Sequence, residues 1–145
     1  MIHAPTMKVA HNFVDSGTSL AAGAEIDTSG FDYMTVIVAT GAVGADLTAF
    51  KIEDDDTSGG SYAGTDIFNF AGGTDVDGNA LALADIDANE VAVVHVNLIG
   101  RKKYVKATVT GGGTTTDLAC IILLSRGTES PVTVADFGAD FTSIV

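Results

Sequence analysis

The stretch YVKATVTGGGTTTDLACIILL, residues 104–124, decides the fold class. Its first seven residues alternate, with Val105, Ala107 and Val109 on one side and Tyr104, Lys106, Thr108 and Thr110 on the other, the period of two that a half-buried strand requires. Gly111, Gly112 and Gly113 then supply a turn, and residues 118–124 are unbroken hydrophobic sequence. The reading is a hairpin of two strands.

Working outward, the same grammar recurs. Residues 33–40 (YMTVIVAT) are rich in β-branched side chains and apolar on both faces, the pattern of a strand buried from both sides. Gly41 and Gly44 mark a turn, and residues 47–53 return as its hairpin partner. Residues 91–99 form the longest strand candidate, with Ala92, Val94, Val96 and Leu98 facing one way and Val91, Val93, His95, Asn97 and Ile99 the other. Residues 6–14 alternate more weakly as an N-terminal edge strand, and residues 15–23 read as a loop. Residues 54–64 (DDDTSGGSYAG) read as an exposed, mobile polar loop. Short apolar pieces follow at 67–70 and 80–86, around a glycine and aspartate turn.

Apolar positions recur at two rather than at three and four, so no long amphipathic helix is expected. The expected fold class is all-β, a β-sandwich or jelly roll of about eight short antiparallel strands with extended N- and C-terminal segments. One β domain spans residues 1–145, with an N-terminal strand and loop over 1–30, a core over 31–127 and a C-terminal arm over 128–145. In that arm Pro131 interrupts the alternation, and Val132, Val134, Phe137, Phe141 and Ile144 are spaced to pack on a neighbour. Tyr33, Gly41, Asp46 and Leu47 have counterparts at Tyr104, Gly111, Asp117 and Leu118. Shared hairpin punctuation accounts for this at least as well as duplication does.

A chain of 145 residues is one ordinary domain and buries roughly 70% of the surface it would expose unfolded. With 46% apolar and 18% charged residues it is neither a disordered acidic tail nor a coiled coil. A net charge of -12 argues against nucleic acid and against anionic membranes, since phosphate binding needs cations that displace counterions. The N-terminus has no export-signal pattern, and no apolar run approaches the roughly twenty residues that span a bilayer. Cys120 is the single cysteine and lies inside the apolar run, which predicts a buried, inert thiol.

Five of the seven cationic residues (Arg101, Lys102, Lys103, Lys106 and Arg126) lie in or beside the opening segment. Two accounts compete. In one, Arg101, Lys102, Lys103 and Lys106 contact acidic surface on a partner or sister subunit. In the other, the turn is merely solvated and its lysines discourage edge-to-edge strand pairing.

The tests for chemistry fail one by one. Asp75, Asp77 and Asn79 have the alternate spacing of a calcium loop, yet Gly78 stands fourth rather than sixth and Ile86 occupies the twelfth position, where glutamate belongs. Glu53, Asp54, Asp55 and Asp56 offer carboxylates with no defined separation. His3, His11 and His95 lack metal-ligand spacing, and no serine sits in a nucleophile elbow. His95 and Asn97 read as the polar edge of a half-buried strand, and Gly111 to Gly113 lack the lysine of a phosphate loop. No catalytic residue, metal or cofactor is expected.

The order of pieces in FDYMTVIVAT (31–40), FKIEDDDTSGG (50–60), VHVNLIGRKKYVKATV (94–109) and ACIILLSRGTESP (119–131) resembles the head decoration, or cement, proteins of tailed bacteriophages. That resemblance implies a non-enzymatic β-rich virion protein, assembled in the host cytoplasm, that binds the capsid exterior as a homotrimer and stabilises the shell. Its partners would be the major capsid protein and its own sister subunits, with Arg101, Lys102 and Lys103 facing their carboxylates. The alternative is a carbohydrate-binding jelly roll or adhesin-like module, against which stand the absence of Trp and the presence of only three Tyr. A small hydrolase using the acidic loop is the third reading.

Overall fold

A computed structural model of the chain describes residues 7–17, 21–62, 66–113 and 116–127. These form eight strands: β1 (Met7–Gly17), β2 (Ala21–Asp27), β3 (Phe31–Thr40), β4 (Ala49–Asp55), β5 (Asp66–Asn69), β6 (Val91–Asn97), β7 (Tyr104–Thr110) and β8 (Thr116–Gly127). The first sheet has the order β1-β8-β3-β6 and the second β2-β7-β4-β5, with every pair antiparallel. Apart from a single 3-10 turn at Leu83–Asp85, no helix forms among the described residues.

The inward rows follow from the period of two. Met34, Val36 and Val38 of β3 and Leu118, Cys120, Ile122 and Leu124 of β8 meet Phe50 and Ile52 of β4 and Val105, Ala107 and Val109 of β7 in one apolar cluster. Two sheets closing on one shared core make a β-sandwich. The expected division of β6 holds on its inner side, where Val96 and the following Leu98 are buried, and on its outer side, where Val91 and Val93 are exposed.

Both expected hairpins are corners instead. β3 and β8 lie in the first sheet whereas β4 and β7 lie in the second, so the chain passes from one sheet to the other between β3 and β4 and again between β7 and β8. Among the described residues only β4 and β5 are consecutive strands paired in one sheet, and the pairs β1–β8, β2–β7, β3–β6 and β4–β5 nest inside one another. Glycine reports that the chain reverses, but the sheet that accepts the next strand is chosen by non-local partners. The two corners lie side by side. Gly41 N–H donates to the Asp117 carbonyl at 3.0 Å and Asp117 N–H to the Ala42 carbonyl at 2.8 Å.

The N-terminal region differs too. β1 takes an edge position as expected but runs on to Gly17, and β2 begins at Ala21 inside the expected loop. β2 pairs with β7 from Ala21 opposite Thr110 to Asp27 opposite Tyr104. Its small residues (AAGAEID) carry almost no hydrophobic alternation, so pairing with β7 rather than local pattern makes it a strand. Residues 80–86, read as an apolar piece, contain the 3-10 turn. The arm at 128–145 lies outside the described residues.

Candidate functional site

The outer face of the second sheet is a lattice of paired charges. Lys106 on β7 stands between Glu25 on β2 and Glu53 on β4 in the cross-strand register, and Lys51 Nζ reaches Glu53 Oε1 at 2.7 Å. Opposite charges on neighbouring strands stabilise a sheet. The acidic segment is built into this lattice. β4 extends to Asp55, so Glu53 and Asp54 are buried rather than displayed on a loop.

The rest of that segment folds back onto the face and is held by Glu25. Its carboxylate accepts hydrogen bonds from Ser58 Oγ at 2.6 Å, Gly59 N–H at 2.6 Å and Tyr62 OH at 2.7 Å. Asp55 accepts from the Thr57 and Tyr62 amides, and Lys106 Nζ lies 5.7 Å from the centre of the Tyr62 ring. Tyr62, at φ 52°, is only 4% exposed. Burial and the bond to Glu25 raise its hydroxyl pKa above the ordinary range. The hydrogen bonds from Ser58, Tyr62 and Gly59 hold the Glu25 carboxyl below its ordinary value of 4.5.

A depressed carboxyl pKa means that the tie is at full strength above the ordinary value and is lost as the pH falls through the lowered one. The Gly59 amide proton should therefore shift on acidification with a midpoint below 4.5, read by two-dimensional NMR, and Glu25→Gln should abolish that titration. A midpoint at or above 4.5 would contradict the tie.

The cations expected to act together are divided. Lys103 Nζ pairs with Asp27 Oδ2 at 3.2 Å and lies 4.9 Å from the centre of the Tyr104 ring, and Lys106 is occupied on the sheet face. Lys102 is half-buried, its backbone N–H donating to Asp54 Oδ2 at 3.3 Å, while Arg101 is exposed with no ion-pair partner among the described residues. Arg126, at φ 57°, comes to the same end because Gly127 pairs with Phe31 next to the β2–β3 turn. Guarding against edge pairing does not explain Lys106, since β7 is a central strand. Arg101, Lys102 and Arg126 remain as the cations of this end without an ion pair among the described residues.

The first sheet presents the opposite surface. Val91 is 63%, Val93 50% and Ile121 40% exposed, and the register sets Val93, Ile37 and Ile121 in one row with Val91, Ala39 and Ala119 in the next. Among the described residues no second layer covers β3 and β8 on this side, and Ile37, Ala39 and Leu123 are half-buried. The expectation of burial from both sides is corrected here, because the unbroken apolar runs reflect a core on one side and an open apolar face on the other. Residues 33–40 carry that signal, and its cause is an apolar outer face rather than a second covering layer among the described residues.

No family model, curated protein or solved structure matches the chain. The remaining polar candidates are held by local bonds. The Asp75 carboxylate accepts the amides of Asp77 and Asn79 and the Asn79 side chain, which closes a tight turn. Among the described residues no three carboxylate, histidine or cysteine side chains gather as a metal site. His95 stacks on Tyr33 at 5.7 Å and its Nδ1 lies 3.3 Å from Thr35 Oγ1, while Asn97 Oδ1 accepts the Ile99 amide. Cys120 is 2% exposed and burial pushes its thiol up to about 11, far from the thiolate a nucleophile needs.

Proposed function

We propose that this protein is a non-enzymatic structural component of a tailed-phage head, binding the outside of the capsid as a self-associated decoration protein. The observation that carries the reading is the uncharged, apolar outer face of the first sheet around Val93, Ile37 and Ile121. A contiguous apolar face on a chain of net charge -12 favours contact between protein surfaces, and its lack of charge lets like-charged copies meet there. The strand order, with its nested pairs, supports the finer reading of the sandwich as a jelly roll, an architecture used by viral shells and by lectins alike. Fold alone therefore does not choose between them, and the surfaces must.

For a lectin the three tyrosines would have to offer open ring faces, yet Tyr62 is buried, Tyr33 is stacked on His95 and Tyr104 lies beneath Lys103. The shell reading assigns self-association, as a trimer, to the apolar face and contact with acidic capsid surface to Arg101 and Lys102. Multiple weak contacts on a symmetric shell then sum through avidity.

Analytical ultracentrifugation should give an oligomer for the native chain and a monomer for Ile121→Glu, with unchanged far-UV circular dichroism in both. Arg101→Glu with Lys102→Glu should keep the oligomer but weaken binding to shells of the capsid protein from the same genome by about tenfold or more. A native chain that stays monomeric and never cosediments with such shells would remove the proposal.

A further inference from the structure

A second surface, which meets the apolar face along Val91 and Val93, lies where the sandwich is open. β6 ends the first sheet and β5 ends the second, and between these two edges runs a groove of about 560 Å³. Phe68, Phe70, Leu81 and Ile86 form its apolar floor, and residues 90–95 run along one side. Its polar rim is acidic, formed by Asp75, Asp85 and Glu90, and no lysine or arginine lines it.

The parity of the β3–β6 ladder shows what β6 offers to this groove. Thr40 N–H donates to the Glu90 carbonyl and Leu98 N–H to the Asp32 carbonyl, so the hydrogen-bonded pairs are those in which the β6 member is even-numbered. The backbone groups of Ala92, Val94 and Val96 thus point toward β3, and those of Val91, Val93 and His95 point away from it, toward the open edge. No strand pairs with that edge among the described residues. Edge strands are ordinarily blunted by charge, proline or a bulge, yet β6 reads VAVVHVN, with no proline, lysine or carboxylate, and its pairing with β3 shows no register shift.

We propose that β6 accepts a strand from another protein, an extended segment with apolar side chains at every second position and basic residues at its ends. The incoming backbone pairs with the outward groups of Val91, Val93 and His95. Alternate side chains enter the groove over Phe68, Phe70 and Leu81, and the basic ends meet Asp75, Asp85 and Glu90. Charge decides against a second copy as donor. The chain's own C-terminal candidate, residues 129–140 (ESPVTVADFGAD), carries Glu129, Asp136 and Asp140 and no lysine or arginine, and would place like charges together.

The probe is a blocked seven-residue peptide of alternating valine and threonine with lysine at each end, titrated into the isotopically labelled full chain. Amide shifts should cluster at Val91, Val93 and His95. A peptide with glutamate ends, a lysine-ended peptide N-methylated on the backbone, and the variant Val93→Pro should each weaken binding by about tenfold or more. Val93→Pro removes an outward N–H and leaves the β3 ladder its own bonds. Should that variant fail to fold, the N-methylated peptide makes the same test on the native chain.

Shifts confined elsewhere, equal binding of the lysine- and glutamate-ended peptides, or indifference to N-methylation would overturn the proposal. So would an oligomer that Val93→Pro abolishes and Ile121→Glu leaves intact, since the occupant of the groove would then be a second copy. Failure here leaves the shell reading standing, because that reading is tested at Ile121 and Arg101, neither of which lines the groove.

Discussion

Phe50→Ala is expected to lower the free energy of unfolding by about 4 kcal/mol, measured as a fall in the urea midpoint at unchanged slope. The ring is fully buried, stacks on Phe70 at 5.5 Å with an interplanar angle of 15°, and meets the edge of Phe68 at 6.1 Å and 75°. Removing it takes away its own burial and the support of two further rings, which lie over the joint between β4 and β5. A sandwich of this size cannot collapse around so large a void without moving a sheet. Phe50→Leu, which keeps most of the volume, should cost only about 1 kcal/mol. Equal losses for the two variants would show that packing is not the cause.

Gly112→Ala is expected to cost about 3 kcal/mol by the same measurement, although it adds a single methyl group. A Cβ at Gly112 would overlap the Asp46 carbonyl oxygen and come within 3.1 Å of its carbon, and both atoms are backbone that no rotamer change can move. The two corners between the sheets meet at this point, so the methyl group pushes them apart. Gly78 provides the contrast, having φ 88° and nothing within 4 Å of an added Cβ. Gly78→Ala should therefore show only the strain of a left-handed conformation, about 1 kcal/mol. If Gly112→Ala were as mild as Gly78→Ala, the corners would not be in contact.

These residues also show how far the sequence could be read. Val105, Ala107 and Val109 announce their inward row because polar residues separate them. Residues 118–124 announce only that they are apolar, and the inward choice of Leu118, Cys120, Ile122 and Leu124 depends on their register with β3 and β1. β2 was hidden because AAGAEID has no hydrophobic alternation to detect. The candidate site was legible as a charge asymmetry but not as a geometry. Asp27 and Glu53 are remote in sequence from Lys103 and Lys106, and only the pairing of β7 with β2 and β4 brings them together.

By itself the sequence determined the class of structure: strands rather than helices, glycine-rich reversals between them, a buried thiol and no recognisable catalytic or metal motif. Those properties are local, set by a period of two and by which residues tolerate a turn. Tertiary structure decided the rest. It turned two expected hairpins into corners and used Lys103 and Lys106 within the molecule, and among the described residues it left the first sheet's outer face open and apolar and an edge unpaired beside an acidic groove. Each outcome depends on which distant strand lies alongside, and that is settled by burying both sheets' apolar rows in a single core.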